Sequence, residues 1–421
     1  MTTLDDSRRL TFGPASAIGS NRYAHFDGVR GIAAFVVLIY HHIYTFAYAL
    51  IDSDPDNPWI RAVSSSPLAA FYNGTFCVWV FFVLSGLVLS AGMYRSRGSL
   101  PAIVVKRYVR LTLPILATSI LALLAVRLHA NWNNEVAVLL PKNPNYYPVD
   151  FSPSILDWLS DSLYGTYLTG RSPFNSVLWS MKVELFGSLL VYLVWRVCPV
   201  RVWRMILCLL LSRGLFLLLK KHSSFQGLQL FPMGILIFDL LIGSDKSSGR
   251  VNWNPWIGTF VLLAGLSLGG WLIKEPSLPG AYLLFTVVLD PIVDVKRFTA
   301  EEIGAILVVA AVAFTPFFHR PLSRGLFQWL GAISLPLYLV HSLVIMTVAC
   351  GVFYLLESSA GYAIAAALGA ASSIAISLIL AAILTPIVER NAIGLSRRAG
   401  AYVDSKWRSV ARRSAAESGQ A

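Results

Sequence analysis

The sequence predicts an all-α polytopic membrane protein of about ten transmembrane helices, and three observations carry that expectation. Of 421 residues, 56% are hydrophobic and only 13% charged, with a mean hydropathy of +0.63, well outside the range of soluble domains. The apolar residues fall into runs of about 20, the length that crosses a hydrocarbon core of roughly 30 Å. The basic residues lie between these runs. That pattern sets membrane topology, and it argues against nucleic acid as the partner of a chain whose net charge is +12.

Residues 1–25 are polar and lack the apolar core and cleavage site of a removable signal peptide, so the first span is expected to act as the targeting signal. Eleven apolar segments follow, near 30–50, 75–93, 104–126, 177–196, 202–219, 228–243, 256–273, 278–292, 303–318, 331–355 and 362–388. If all eleven cross, Lys and Arg divide 16 inside to 17 outside, which is no bias. Leaving 278–292 out gives 23 against 10, and leaving 202–219 out gives 25 against 8. The positive-inside rule therefore favours ten crossings with both termini cytoplasmic. The expected organisation is a cytoplasmic tail (1–25), a transmembrane domain (26–390) and a basic cytoplasmic tail (391–421) suited to anionic headgroups, with no appended soluble domain. The stretch 127–176, rich in Asn, Pro and aromatics, is long enough to fold over the outer mouth of the bundle. Cys77, Cys198, Cys208 and Cys350 lie in or beside apolar runs, without the spacing of a zinc site or a disulfide framework, so neither a metal nor redox chemistry is expected.

The chemistry is concentrated where a bilayer tolerates it least. In "RGIAAFVVLIYHHIY" Arg30 and His41 lie on one helical stripe, differing by about 20° after three turns, while His42 points about 100° away. Eleven residues place His41 about 16 Å deep, where an imidazole can stay neutral and act as a base. Ser180, Glu184 and Ser188 share a face of the fourth span, with Lys182 turned elsewhere. Ser334, Tyr338 and His341 form another stripe, near Pro336, which is expected to loosen its helix. Isolated charges at such depth cost several kcal/mol, so these groups are expected to face one shared interior cavity. Arg107 and Arg110 in "KRYVRLTLP", with Arg30, make the inner mouth basic, and guanidinium offers phosphate planar, bidentate donors. Gly86 and Ser90 suit close packing of helices.

A neutral midplane histidine, a carboxylate and a basic mouth fit acyl transfer from a coenzyme A thioester. His41 would take the proton of an acceptor hydroxyl. The developing oxyanion needs a donor, for which Tyr338, Ser85 or an arginine are candidates. A proton-coupled transporter using His41, Glu184 and His341 as a relay is the main rival, although no paired broken helices in two related halves support it. A non-catalytic scaffold would leave the polar stripes and the arginines as separate accidents.

Five motifs in order also carry a resemblance. They are "FDGVRG" with Arg30 and His41; Phe81, Phe82, Ser85 and Gly86; Arg107, Arg110 and Pro114; Trp179, Ser180 and Glu184; and Ser334, Tyr338 and His341. Over nearly its whole length the chain resembles the acyltransferase 3 family of integral-membrane O-acyltransferases. The resemblance implies transfer of an acyl group, commonly acetyl, from cytoplasmic acyl-CoA to a hydroxyl of a carbohydrate, lipid or small natural product. It ties His41 and the paired arginines Arg107 and Arg110 most closely to activity; the reading of the residues adds Glu184, Tyr338 and His341 as catalytic candidates and expects Arg30, Arg107 and Arg110 to bind the donor. Lys182 departs from the family, which more often has a small or apolar residue there, and a single glutamate follows where many members carry two acidic positions.

Overall fold

The computed structural model of the chain describes residues 23–52, 57–96, 98–140, 152–219, 225–243, 252–271 and 297–418. Among them every regular element is a helix. The long or apolar ones are α1 (Ala24–Phe46), α2 (Gly74–Arg95), α3 (Leu100–Arg127), α4 (Trp179–Val197), α5 (Arg201–Leu219), α6 (Leu230–Gly243), α7 (Pro255–Gly269), α8 (Arg297–Phe314), α9 (Pro316–Leu322), α10 (Gly325–Val344), α11 (Cys350–Ala360), α12 (Tyr362–Leu384) and α13 (Arg390–Ser418).

Local chemistry sets several starts. The Asn73 side chain accepts from the Phe76 N–H before α2, and the Asn254 side chain accepts from the Trp256 N–H before α7, whose first residue is proline. Pro101 likewise occupies the first turn of α3. A 3₁₀ turn, Ser176–Leu178, capped by Asn175, leads directly into α4.

Ten of the eleven apolar segments form helices, and the remaining one, 278–292, lies outside the described residues. Among the described residues seven helices are long and apolar enough to cross a membrane, or eight if α8 and α9, bent by 92°, count as one span; α6 and α7 are shorter. The segment 202–219 is one of the seven, although its helix, α5, buries only Arg204 and Cys208. A charged pair ties α5 to the bundle. Arg204 donates to both oxygens of buried Asp239 at 2.8 and 2.6 Å and lies 3.9 Å over the Trp195 ring. Such a bidentate geometry compensates two charges removed from water.

Glycine decides how closely α1 and α10 cross. A Cβ on Gly31 would collide with the backbone of Leu330 and Gly331, and one on Gly331 with the backbone of Asp27. Helices α1 and α10 therefore touch backbone to backbone, as small residues permit in membranes. Gly86 plays the predicted packing part, set against the backbone of Phe231 on α6. Ser90 adds a hydrogen bond to the Gly86 carbonyl at 2.7 Å and accepts one from Trp195 at 3.0 Å.

Two π turns interrupt long helices. Helix α10 runs unbroken through Pro336, and its irregularity lies further on, at Ile345–Ala349. The second π turn, Thr385–Glu389, joins α12 to α13, so helical structure continues from Tyr362 to Ala411. Helix α13 lies along α3, where Asp404 accepts from the Ser99 N–H at 2.8 Å.

Candidate active site

The α1–α10 crossing brings the two histidines of the sequence stripes together. His41 Nδ1 lies 2.9 Å from the Val37 carbonyl and 3.2 Å from His341 Nε2, while His341 Nδ1 lies 3.2 Å from the Leu337 carbonyl. Carbonyl oxygens only accept, so both Nδ1 atoms carry the hydrogen when the rings are neutral. The Nδ1–H of His41 is then shared between Val37 and the lone pair of His341. Nε2 of His41 is left as a lone pair with no protein partner among the described residues. His341 is fully buried, whereas His41 lines a cavity.

The adjacent His42 is differently employed. Its Nδ1 donates to the Leu38 carbonyl at 2.8 Å and its Nε2 accepts from Ser373 on α12 at 3.0 Å. That ring fastens α1 to α12 on the face predicted to point away from His41.

Instead of facing one shared cavity, these groups divide between two. The first, about 440 Å³, is lined by His41 together with Tyr40, Tyr44, Thr45, Trp179 and Ser342, and by Asn133 and Ser176 from the 127–176 stretch. The second, about 160 Å³, is lined by Arg30, Arg107, Arg110, Glu184 and Glu389 among apolar side chains such as Phe81 and Leu111. Tyr338 and Val78 line both and form the partition. The Tyr338 hydroxyl is 2.8 Å from Ser180 Oγ and donates to the Val177 carbonyl at 3.2 Å, which fixes the phenol at that boundary.

Glu184 belongs to the arginine cavity, apart from His41. Arg107 forms an ion pair with it and donates from Nε to Ser188 at 2.8 Å, while Ser85 donates to the same carboxylate oxygen at 2.8 Å. Both charged side chains are nearly enclosed, at 11% and 12% exposure, so each serves as the other's main compensation. Helical depth alone suggested a common level with His41. The arginine on α3 drew the carboxylate toward the opposite cavity.

Arg30 donates from Nε to Ser334 at 2.9 Å and pairs with Asp27 at 3.0 Å. Arg110 lines the same cavity and has no hydrogen-bonding partner among the described residues. Lys182 reaches neither cavity. Its ammonium donates to the Leu168 carbonyl at 2.8 Å and sits 4.4 Å from the Phe225 ring centre, beside left-handed Gly170. Lys182 thus pins the short helical turn Thr166–Thr169. Among the described residues no group of three or more His, Cys, Asp or Glu is placed to hold a metal ion.

A family model described as an acyltransferase domain, that of the acyltransferase 3 family, matches residues 23–382, which include every one of the five motifs. The chain belongs to the acyltransferase 3 family. It is 25% identical over 371 residues to the O-acetyltransferase PaAT-1 of Phomopsis amygdali, covering 76% of this chain and 72% of that one. No solved structure matches. As a member of the acyltransferase 3 family with several membrane-spanning helices, the protein is an integral membrane O-acyltransferase.

Sequence reasoning missed Asp27, Asn133, Ser176 and Glu389 as cavity residues. Glu389 had one visible signal, a carboxylate closing an apolar run three residues after Pro386. Asn133 and Ser176 had none beyond the expectation that their stretch covers the mouth of the bundle.

Proposed function

We propose that the protein transfers an acyl group, acetyl in the simplest case, from acyl-CoA to a hydroxyl of a carbohydrate, lipid or small natural product. The observation that carries this reading is the unpartnered Nε2 of His41 in the wall of one cavity, with Tyr338 separating it from a second cavity lined by three arginines. The arginines suit the phosphates of coenzyme A, and the narrow, largely apolar space beside them suits a pantetheine arm. The larger cavity, lined by aromatic rings and hydroxyls, suits an acceptor that is part apolar and part hydroxylated. The name of the Phomopsis relative supports acetyl as the transferred group.

The reaction proceeds at the boundary. His41 Nε2 removes the acceptor hydroxyl proton as the oxygen bonds to the thioester carbonyl carbon. The carbon–sulfur bond then breaks, and the proton passes from His41 to the departing thiolate. His341 holds the tautomer of His41, and the Tyr338 hydroxyl, at the partition, donates to the forming oxyanion once it turns from the Val177 carbonyl. The arginine mouth faces the cytoplasm, as the positive-inside rule requires, and both termini lie on that side.

The test is release of free CoA from acetyl-CoA by the purified protein in nanodiscs, supplied with a cell extract as the source of acceptors, with His41→Ala as the paired variant. Release that disappears in the folded variant supports the reading. A well-folded wild-type preparation that neither binds nor consumes acetyl-CoA overturns it and moves the assignment to the proton-coupled transporter.

A further inference from the structure

One wall of the arginine cavity comes from beyond residue 382, where the family match ends. Glu389 closes the π turn Thr385–Glu389, which begins one residue before Pro386. Proline lacks the N–H that the helix needs, and the chain answers with the wider turn, Thr385 donating its hydroxyl to the Ala381 carbonyl at 2.8 Å. A single π turn adds one residue and so rotates everything after it by about 100°, the shift that decides which residue faces the cavity.

The charges in the cavity balance. Three arginines, Arg30, Arg107 and Arg110, share it with three carboxylates, Asp27, Glu184 and Glu389. Arg107 is engaged by Glu184 and Ser188, and Arg30 by Asp27 and Ser334. Arg110 has no hydrogen bond or ion pair among the described residues, and neither has Glu389, the one carboxylate of the cavity left unpaired there. Arg30, paired with Asp27, lines the same cavity.

We propose that Glu389 is the counter-charge to Arg110 and Arg30 in the unliganded cavity and limits its affinity for an anionic donor. The proposal rests on the donor reading above and assigns this segment of α12–α13 a part in it. A phosphate arriving at Arg110 gains bidentate donors from the guanidinium and meets the like charge of Glu389 across the cavity. That repulsion keeps donor binding reversible in a low-dielectric pocket, where Arg110 without a counter-charge would hold a polyanion tightly.

The experiment is titration of free CoA into the full-length protein in nanodiscs, at low and at moderate salt, comparing wild type with Glu389→Gln and Glu389→Asp. Glu389→Gln is expected to bind CoA about three- to tenfold tighter at low salt and to lose affinity more steeply as salt rises. With acetyl-CoA as substrate, KM and kcat are expected to fall together, because product leaves more slowly. A merely structural glutamate would instead weaken binding and lower thermal stability. Unchanged or weaker CoA binding by folded Glu389→Gln overturns the proposal. Should that variant fail to fold, Glu389→Asp, which withdraws the charge by one methylene, is expected to tighten binding to a smaller degree, and unchanged affinity there overturns it equally. Wild type that binds no CoA overturns the donor reading itself, an outcome distinguished by needing no variant.

Discussion

His41 Nδ1 lies 3.2 Å from His341 Nε2, their rings inclined at 62°, and this contact joins two residues 300 positions apart across the α1–α10 crossing. In the proposed reaction the contact orients the base. With His341 Nε2 accepting from the His41 Nδ1–H, the His41 lone pair is confined to Nε2, the nitrogen with no protein partner among the described residues. Removing His41 itself is expected to cost about 10²- to 10⁴-fold in turnover. His341→Ala is expected to lower kcat by roughly 10²-fold while acyl-CoA affinity stays unchanged, because only the orientation of the base is lost. Single-turnover CoA release alongside equilibrium CoA binding checks the split; equal losses in both would mean that His341 supports the fold more than the base.

His42 provides the contrast one residue away. It bridges Leu38 and Ser373 and lines neither cavity. His42→Phe leaves the Ser373 hydroxyl without that partner and is expected to cost about 1–3 kcal/mol of stability, with turnover within about threefold of wild type. Thermal unfolding in detergent, read beside the CoA-release assay, separates the two histidines.

The Arg107–Glu184 pair predicts an asymmetric result. Glu184→Ala strands a nearly enclosed guanidinium and is expected to destabilise the protein by about 3–5 kcal/mol, seen as a lower Tm. The double variant Arg107→Met with Glu184→Leu removes both charges and is expected to recover much of that Tm while remaining inactive. A double variant no more stable than Glu184→Ala would show that the pair contributes little beyond shape.

The glycine contact of α1 with α10 predicts that volume added there is felt at the site. Gly31→Ala forces a Cβ into the Leu330–Gly331 backbone and is expected to cost about 1–3 kcal/mol through displacement of the helices. Arg30 and His41 ride on the displaced helix, so turnover should fall by more than the loss of folded protein explains. Specific activity normalised to the monodisperse fraction on size exclusion tests this.

Most of the architecture was legible because bilayers impose a simple rule. An apolar run of about 20 residues must satisfy its backbone internally, and ten of the eleven runs read from the sequence are helices. The placement of ionisable groups on helix faces was legible too, since 100° per residue put Arg30 and His41 on one stripe, and both contact α10. Helical arithmetic cannot say which neighbour a face meets. Glu184 at the depth of His41 looked like a member of one cluster, yet its partners come from α3 and α2. Glu389 was hidden for a related reason. An extra residue in a π turn changes the face of everything beyond it, and single-sequence periodicity assumes a constant 3.6.

The sequence by itself determined the solvent of this protein, the identity of its buried polar groups and its family, because hydropathy, helical period and motif order are properties of the chain read locally. Only the tertiary structure decided that those groups line two cavities with Tyr338 between them, that Arg110 shares one of them with Glu389 of the second π turn, and that His41 lines a cavity while His42 fastens α1 to α12. Each of these depends on which helices touch and at what rotation. That is set by glycine contacts, π turns and the need of every enclosed charge for a partner, and the partners lie tens to hundreds of residues away in the chain.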